Sequence, residues 1–153
     1  MEPISEERAL EFLKRSLVAH IGVVVDGEPY VTPMSFIVEG SRILFRTKPG
    51  RRFEGIQTNP IVSIEASTFD DQTGDWTSVI VKGTAAVTDD DATVQGTLTG
   101  LYDKYRQVLG SPLGRGGMQP IVSFPHVVAV EIIEISGMAS SGPFSPRTRP
   151  GRL

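Results

Sequence analysis

Hydrophobic and polar residues alternate with a period of two along much of this chain, which is the pattern of strands that bury one face. The segments with this pattern, or with a run of β-branched residues, are AHIGVVV (19–25), YVTPMSFIV (30–38), RILFRT (42–47), IVSIEAS (61–67), WTSVIVKGTAAVT (76–88) and VVAVEIIEI (127–135). Turn residues such as DGEP and EGS separate the first three segments. The pattern therefore predicts six strands, the first three in an antiparallel meander, with Gly83 marking a bulge.

Three other segments have a helical pattern. Ser5, followed by two glutamates, begins an amphipathic stretch whose leucines recur at helical spacing. PGRRFEGIQTNP (49–60) predicts a short helix that Asn59-Pro60 ends. DDDATVQGTLTGLYDKYRQVLG (89–110) predicts a longer helix with acidic residues at its start and a glycine at its end. All three helices are expected to lie outside the sheet.

Strands that are mostly connected locally, with helices at the start, at one crossover and before the last strand, predict a mainly β fold with peripheral helices. The expected architecture is a small six-stranded antiparallel barrel. Its interior would fill with side chains, so a ligand would bind outside it or between subunits. We expect one domain over residues 1–137, followed by a Pro/Gly/Arg-rich C-terminal tail over residues 138–153.

Composition narrows the possible functions. The chain has 153 residues, a net charge of −3 and only 7% aromatic residues, which argues against a nucleic-acid or anionic-membrane binder. No apolar run approaches the roughly 20 residues needed to cross a bilayer, and the acidic N-terminus is unlike a signal peptide, so we expect a cytoplasmic protein. Cysteine is absent, and His20 and His126 lie far apart, so no metal site is expected.

Basic residues cluster in RTKPGRRFEGIQTNP (46–60), although the chain as a whole is acidic. The cluster has two interpretations. It is a solvated surface balanced by Glu54 and nearby acids, or Thr47 and Lys48 at a strand end join Arg51 and Arg52 in a first helical turn to hold one anion. Because arginine offers a fork of donors that matches phosphate oxygens, a phosphate monoester suits the second interpretation.

Three motifs, in this order and spacing, resemble a known family. DGEPYVTPMSFIV, ILFRTKPGRRFEGIQTNPIVSIEA and WTSVIVKGTAAV resemble the FMN-binding split-barrel family that includes pyridoxamine 5'-phosphate oxidase, and the closest branch is similar to the nitroimidazole-resistance-type flavoproteins. The resemblance covers roughly residues 10–87 and, more weakly, the last strand. It implies a homodimer of split β-barrels of the FMN-binding type, with two FMN molecules at the subunit interface.

By position, the resemblance implies three groups of cofactor-binding residues. They are Thr47, Lys48, Arg51 and Arg52 around the phosphate; Thr32, Pro33, Met34 and Ser35 along the flavin ring; and Trp76, Thr77 and Ser78, which close the site from the other subunit. Alternatives stay open for several of them. Met34 suits a core position, Trp76 suits a hydrophobic cap over the barrel end, and the two hydroxyls after it suit an ordinary strand. The tail arginines either stay in a disordered segment or reach over the partner subunit.

The reaction implied is reduction of a small organic acceptor with electrons from NADH or NADPH, the flavin carrying the redox chemistry. No catalytic residue is assigned: we interpret His20 as a structural strand residue and His126 as a surface loop residue. Pyridoxamine-phosphate oxidase activity itself is disfavoured, because the chain is short and lacks basic residues on YVTPMSFIV. The alternatives are a deazaflavin-dependent reductase of the same fold, a non-enzymatic flavin-binding or sensing protein, and a haem-binding relative.

Overall fold

A computed structural model of the chain describes residues 1–109 and 125–141. The described part contains eight strands: β1 (Glu2–Ile4), β2 (Ala19–Val25), β3 (Glu28–Met34), β4 (Ile37–Glu39), β5 (Arg42–Thr47), β6 (Ile61–Phe69), β7 (Trp76–Thr88) and β8 (His126–Ser140). Three helices accompany them: α1 (Glu6–Arg15), α2 (Arg51–Thr58) and α3 (Asp91–Leu109). Within these residues, no helix combines the length and the apolar character needed to span a bilayer.

The strands form one antiparallel sheet in the order β3-β2-β6-β7-β8-β5-β4, with β1 paired to β8. Its two edge strands, β3 and β4, are consecutive in the chain and separated only by Ser35 and Phe36. Because two residues span only about 7–10 Å, the sheet must curl until its edges come close together. The result is a split barrel, and the expected mainly β fold with peripheral helices is confirmed.

Side chains fill the barrel. β2 buries every second residue from Ala19 to Val25, and Phe36 and Phe45 are fully buried in the same core. Helix α2 packs on β2 so closely that a Cβ at Gly55 would lie 2.9 Å from side-chain methyls of Val23 and Val25. The sequence has glycine where this close approach requires it.

The structure differs from the predicted strands in three places. The segment predicted as one strand over 30–38 is two strands, because β3 pairs with β2 at one edge of the sheet and β4 pairs with β5 at the other. The chain therefore has to leave one edge before it joins the other. Strand β1 was not predicted, since it has only three residues, one of them Pro3.

Strand β8 extends to Ser140, five residues beyond the predicted end at Ile135. Gly137 makes this extension possible, since a Cβ there would lie 2.6 Å from Ile4 of β1 and 3.2 Å from Ala9 of α1. The rest of the predicted tail lies outside the described residues, as do the predicted Gly110 stop and the loop that follows it. The bulge predicted at Gly83 is confirmed by a register shift between Lys82 and Gly83 in the β7–β8 pairing.

Candidate phosphate and flavin site

The end of β5 and the start of α2 meet at one corner of the barrel. Thr47, the last residue of β5, is 1% exposed, and Arg52 lies in the first turn of α2. Arg52 donates from Nε to Thr47 Oγ1 at 3.2 Å and from Nη1 to Thr32 Oγ1 at 3.2 Å and to the carbonyl of Pro33 at 3.3 Å. One guanidinium therefore joins the end of β5 to the edge strand β3, as the two predicted site segments require. We call Thr47, Lys48, Arg51 and Arg52 the basic corner.

Aromatic rings lie under both arginines of the basic corner. The guanidinium carbon of Arg52 lies 5.4 Å from the ring centroid of Phe45, and that of Arg51 lies 5.3 Å from the ring centroid of Tyr30. These are cation–π distances. Burial lowers the pKa of Arg52, an effect that Tyr30 partly offsets, so the site holds a positive charge that is partly removed from water.

Carboxylates do not neutralise the basic corner. Among the described residues, the ion pairs are Lys14–Glu11, His20–Glu65, Arg42–Glu39 and Arg106–Asp103. None of them includes a cation of the basic corner, and Glu54 is exposed and outside all of them. Contact with Glu54 therefore does not balance this charge, and Lys48 and Arg51 present their side chains to solvent.

The start of α2 adds uncapped N–H groups. Its N-cap residue, Gly50, has no side chain, and no side-chain hydrogen bond caps the helix. Only from Glu54 onward do the backbone N–H groups find a carbonyl partner, beginning with Gly50 O at 2.9 Å. The N–H groups of Arg51, Arg52 and Phe53 therefore lie at the positive end of the helix dipole without a carbonyl partner among the described residues, which is a suitable environment for an anion.

The predicted ring-side residues divide into two kinds. Thr32 and Pro33 are tied to Arg52, and Ser35 is exposed in the break between β3 and β4. Met34 is 6% exposed and belongs to the core, where it pairs with Ala19 of β2. The side chain of Met34 therefore fills the barrel, which is the alternative considered from the sequence, and only its backbone could face a ligand.

The third predicted group lies far from the basic corner within one chain. Trp76, the first residue of β7, pairs with Ser140 at the far end of β8, whereas Thr47 pairs with His126 at the near end. Thr88, at the corner end of β7, is twelve residues from Trp76. At about 3.3 Å per residue this separation is a path of roughly 40 Å along the curved strand. Through β2 and β6, Pro33 is in register with Ile80, two residues from Ser78 and three strands away across the sheet. No hydrogen bond, ion pair or ring contact of the described residues joins the third group to the basic corner.

These three residues begin β7 beside an open groove of about 580 Å³. The groove is lined by the β6–β7 hairpin, including Phe69, Trp76 and Thr77, with Asp70, Asp71 and Asp75 in the turn. Phe69 is 69% exposed, an unusual position for a phenylalanine. The groove combines apolar and acidic side chains.

Both histidines are placed by the structure. His20 lies on β2 as predicted, and its Nδ1 is 3.2 Å from Oε2 of Glu65 on the exposed face of the sheet. His126 is the first residue of β8 and not a loop residue, so that interpretation was wrong. Its ring stacks on Phe53 of α2, with 4.3 Å between centroids and an interplanar angle of 14°. The two rings border the basic corner, and among the described residues no group of three or more His, Asp or Glu could hold a metal ion.

Two residues of α3 contact Phe36, the residue after the predicted ring-side group, and were not predicted. The backbone N–H of Phe36 donates to Tyr105 Oη at 3.1 Å, and this hydroxyl donates to the carbonyl of Leu17 at 2.6 Å. Nζ of Lys104 donates to the carbonyl of Phe36 at 2.9 Å and lies 4.0 Å from the centroid of its ring. Burial lowers the pKa of Lys104 to about 8. Nothing in the sequence pattern of this helix indicated these contacts.

The chain is similar to known proteins in both sequence and fold. The sequence profile of the pyridoxamine 5'-phosphate oxidase family matches residues 5–139. A curated relative, an uncharacterized protein of Rhizobium meliloti, is 29% identical over 66 residues, so the alignment spans 43% of this chain and less than half the length of that protein.

Solved structures share the fold at low identity. An FAD-binding protein of Mesorhizobium loti is 21% identical, with a TM-score of 0.70 over 91% of this chain and 96% of that one. A proposed 5-nitroimidazole antibiotic resistance protein of Bacteroides thetaiotaomicron is 18% identical, with a TM-score of 0.72 over 92% and 88%. An FAD- and haem-binding protein of Mycobacterium smegmatis is 18% identical, with a TM-score of 0.68 over 90% and 72%.

The profile match extends from the N-cap of α1 to the last residues of β8 and includes every element of the basic corner. The resemblance identified from three sequence motifs is thereby confirmed, and this chain belongs to the pyridoxamine 5'-phosphate oxidase family of split barrels.

Proposed function

We propose that this protein is a flavoprotein oxidoreductase that binds FMN, with the phosphate held at the basic corner. One observation carries the proposal: Arg52 is hydrogen-bonded to Thr47, Thr32 and Pro33, while no ion pair of the described residues supplies the corner with a carboxylate. A phosphate dianion would supply the missing negative charge. It would accept hydrogen bonds from the exposed cations and from the uncapped N–H groups of α2.

The same guanidinium supports a site for the flavin ring beside β3. Pro33 has no N–H, and its carbonyl already accepts from Arg52. Ser35 lies outside both neighbouring strands, so its N–H is free of the sheet pairing and is the donor best placed for a polar edge of the ring. When bound, the flavin would supply the hydride chemistry, and the chain would bind it, orient it and stabilise negative charge.

We further propose a homodimer. Trp76, Thr77 and Ser78 begin β7 at the end opposite to the one that lies beside the basic corner, so they would act on the site of a second copy. The groove beside them, about 580 Å³, lies within the range of small-molecule pockets. Its acidic turn would face the exposed cations of the partner. An acceptor entering between the two subunits would meet the ring from the side that β3 leaves open.

Oxidoreductase function follows from the flavin and not from a proton-transferring side chain. His20 is paired with Glu65, and His126 is stacked on Phe53. We therefore assign no catalytic residue, and propose that a nicotinamide donor reduces the flavin, which then reduces a small organic acceptor. Turnover of NADH or NADPH with an artificial acceptor tests this step, and absence of turnover with both donors would favour a non-enzymatic flavin-binding protein.

The exposed cations also suit a cofactor other than FMN. Lys48 and Arg51 extend the positive surface beyond Thr47 and Arg52, and two of the structural relatives bind FAD. A dinucleotide with two phosphates, or a deazaflavin with a phosphate-containing tail, would use the same corner. The mass and the visible spectrum of whatever the denatured protein releases distinguish FMN from both.

Replacing Arg51 and Arg52 together by alanine tests the site. Each charge-assisted hydrogen bond is worth about 1.5–3 kcal/mol, so we expect FMN affinity to fall at least a hundredfold while the far-ultraviolet spectrum stays that of a folded β protein. Replacing Arg8 and Arg15, both exposed on α1, removes the same charge elsewhere and serves as the matched control. Stoichiometric flavin in the Arg51/Arg52 variant would contradict the proposed phosphate position.

A further inference from the structure

The break between β3 and β4 is held by side chains, since strand pairing does not extend to Phe36. Its backbone N–H and C=O would otherwise lack partners next to a fully buried side chain. Tyr105 Oη accepts from the N–H at 3.1 Å, and Lys104 Nζ donates to the C=O at 2.9 Å. Two consecutive residues of α3 thus take the place of a neighbouring strand at this one position.

Helix α3 is packed against the break tightly enough to make these contacts specific. A Cβ at Gly100 would lie 2.6 Å from Ile37, the first residue of β4. Tyr105 also donates to the carbonyl of Leu17, so one hydroxyl joins the break to the segment that precedes β2. The helix therefore fixes the break relative to both the barrel and the chain that leads into it.

Residues 32–36, which include the predicted ring-side residues and the break after them, are held at their two ends by different cations. At one end Arg52 binds Thr32 and Pro33, and at the other end Lys104 binds Phe36. Lys104 is half-buried, and no ion pair of the described residues includes it. Keeping an ammonium partly out of water costs free energy, and its hydrogen bond to the carbonyl of Phe36 and its contact with the ring of Phe36 offset this cost.

We propose that Lys104 and Tyr105 are positioning residues for the flavin ring: they hold the break at Ser35 and Phe36 so that residues 32–35 keep the shape that accepts the ring. This inference rests on the function proposed above. It assigns α3 a part in the site that is separate from the basic corner. Arg52 acts at both ends, on the phosphate and through Thr32 and Pro33, whereas α3 acts at the ring end only.

Riboflavin and FMN together separate the two ends, since riboflavin lacks the phosphate. For Tyr105→Phe and Lys104→Met we expect both ligands to bind roughly two- to tenfold more weakly, as for the loss of one or two hydrogen bonds, with the FMN-to-riboflavin affinity ratio unchanged. For Arg52→Met we expect the ratio itself to fall. Lys104→Arg keeps the charge and a donor and should restore most of the riboflavin affinity. The visible circular dichroism of bound riboflavin should change in Tyr105→Phe.

Tyr102→Phe is the matched control, because this exposed tyrosine of α3 makes no hydrogen bond through its hydroxyl among the described contacts. Amide exchange of the cofactor-free protein gives a second measurement: the Phe36 amide should lose protection in Tyr105→Phe and keep it in Tyr102→Phe. Wild-type riboflavin affinity in both Tyr105→Phe and Lys104→Met would overturn this proposal alone. Absence of FMN and riboflavin binding by the unmodified protein would overturn the proposed function and this inference with it.

Discussion

Removing Arg52 should weaken the barrel even when no cofactor is present. The side chain makes three hydrogen bonds through Nε and Nη1, between 3.2 and 3.3 Å. At a net value of about 1 kcal/mol for each donating nitrogen, Arg52→Met should remove about 2 kcal/mol. Part of this loss is offset, because methionine does not carry the desolvation cost that lowers the pKa of Arg52. We therefore expect a net decrease of about 1–2 kcal/mol in the free energy of unfolding.

Urea unfolding of the cofactor-free protein, followed by tryptophan fluorescence from Trp76, measures this quantity. Arg51→Met is the matched control: Arg51 is exposed, and its contact is with the ring of Tyr30, so its replacement should change stability by less than about 0.5 kcal/mol. In Arg52→Met, the hydroxyl of Thr47 keeps its hydrogen bond to Lys48 O at 3.3 Å. The stability lost in this variant should therefore stay below the cost of a buried hydroxyl without any partner. If Arg52→Met were as stable as Arg51→Met, the guanidinium would not join β5 to β3 as described.

Three further experiments test other parts of the fold. Gly55→Ala should cost about 1–3 kcal/mol of stability, because its Cβ would lie 2.9 Å from two valine methyls of β2. Gly96→Ala should instead stabilise α3 by about 0.5–1 kcal/mol, since nothing lies within 4 Å of its Cβ. Thermal unfolding of the two variants measures this contrast. Asp90→Ala should cost about 1 kcal/mol, since Oδ2 accepts from the Thr93 N–H at 2.9 Å at the start of α3, and chemical denaturation that shows no loss would contradict this cap. The pKa of Lys104 is lowered to about 8 in the folded protein, so the native state binds fewer protons than the unfolded state between about pH 8 and 10. The free energy of unfolding should therefore rise across this range, by roughly 1 kcal/mol because the side chain is partly exposed. This rise should be absent in Lys104→Met.

The period of the strands and the turn residues between them were sufficient to predict the sheet. The segment 30–38 shows the limit of this reasoning, because alternation continues through Ser35 and Phe36 although the strand does not. The break there results from closure of the barrel, a property of the whole sheet that no local window contains. β1 and the end of β8 escaped prediction for a related reason: Pro3 and Gly137 have low strand propensity, and pairing with neighbouring strands stabilises them, with β8 for Pro3 and with both β7 and β1 for Gly137.

The basic corner could be predicted because its residues are close in sequence and chemically distinctive. The contact of Arg52 with Thr32 and Pro33 joins positions about twenty residues apart, and only the family resemblance suggested it. Lys104 and Tyr105 had no such signal, because their partner Phe36 lies 68 and 69 residues away along the chain. His126 was misjudged because Pro125 before it suggested a loop, whereas β8 begins at that residue.

The open edge of β3 has a consequence for solubility. Residues 29, 31 and 33 share one backbone direction, and the carbonyl of Pro33 accepts from Arg52, which lies outside the sheet, so these positions face away from β2. Two of the three are prolines and cannot donate. A strand from another molecule would find a single N–H there, that of Val31. The barrel can thus leave its seam accessible to a small ligand without offering a template for fibrous aggregation.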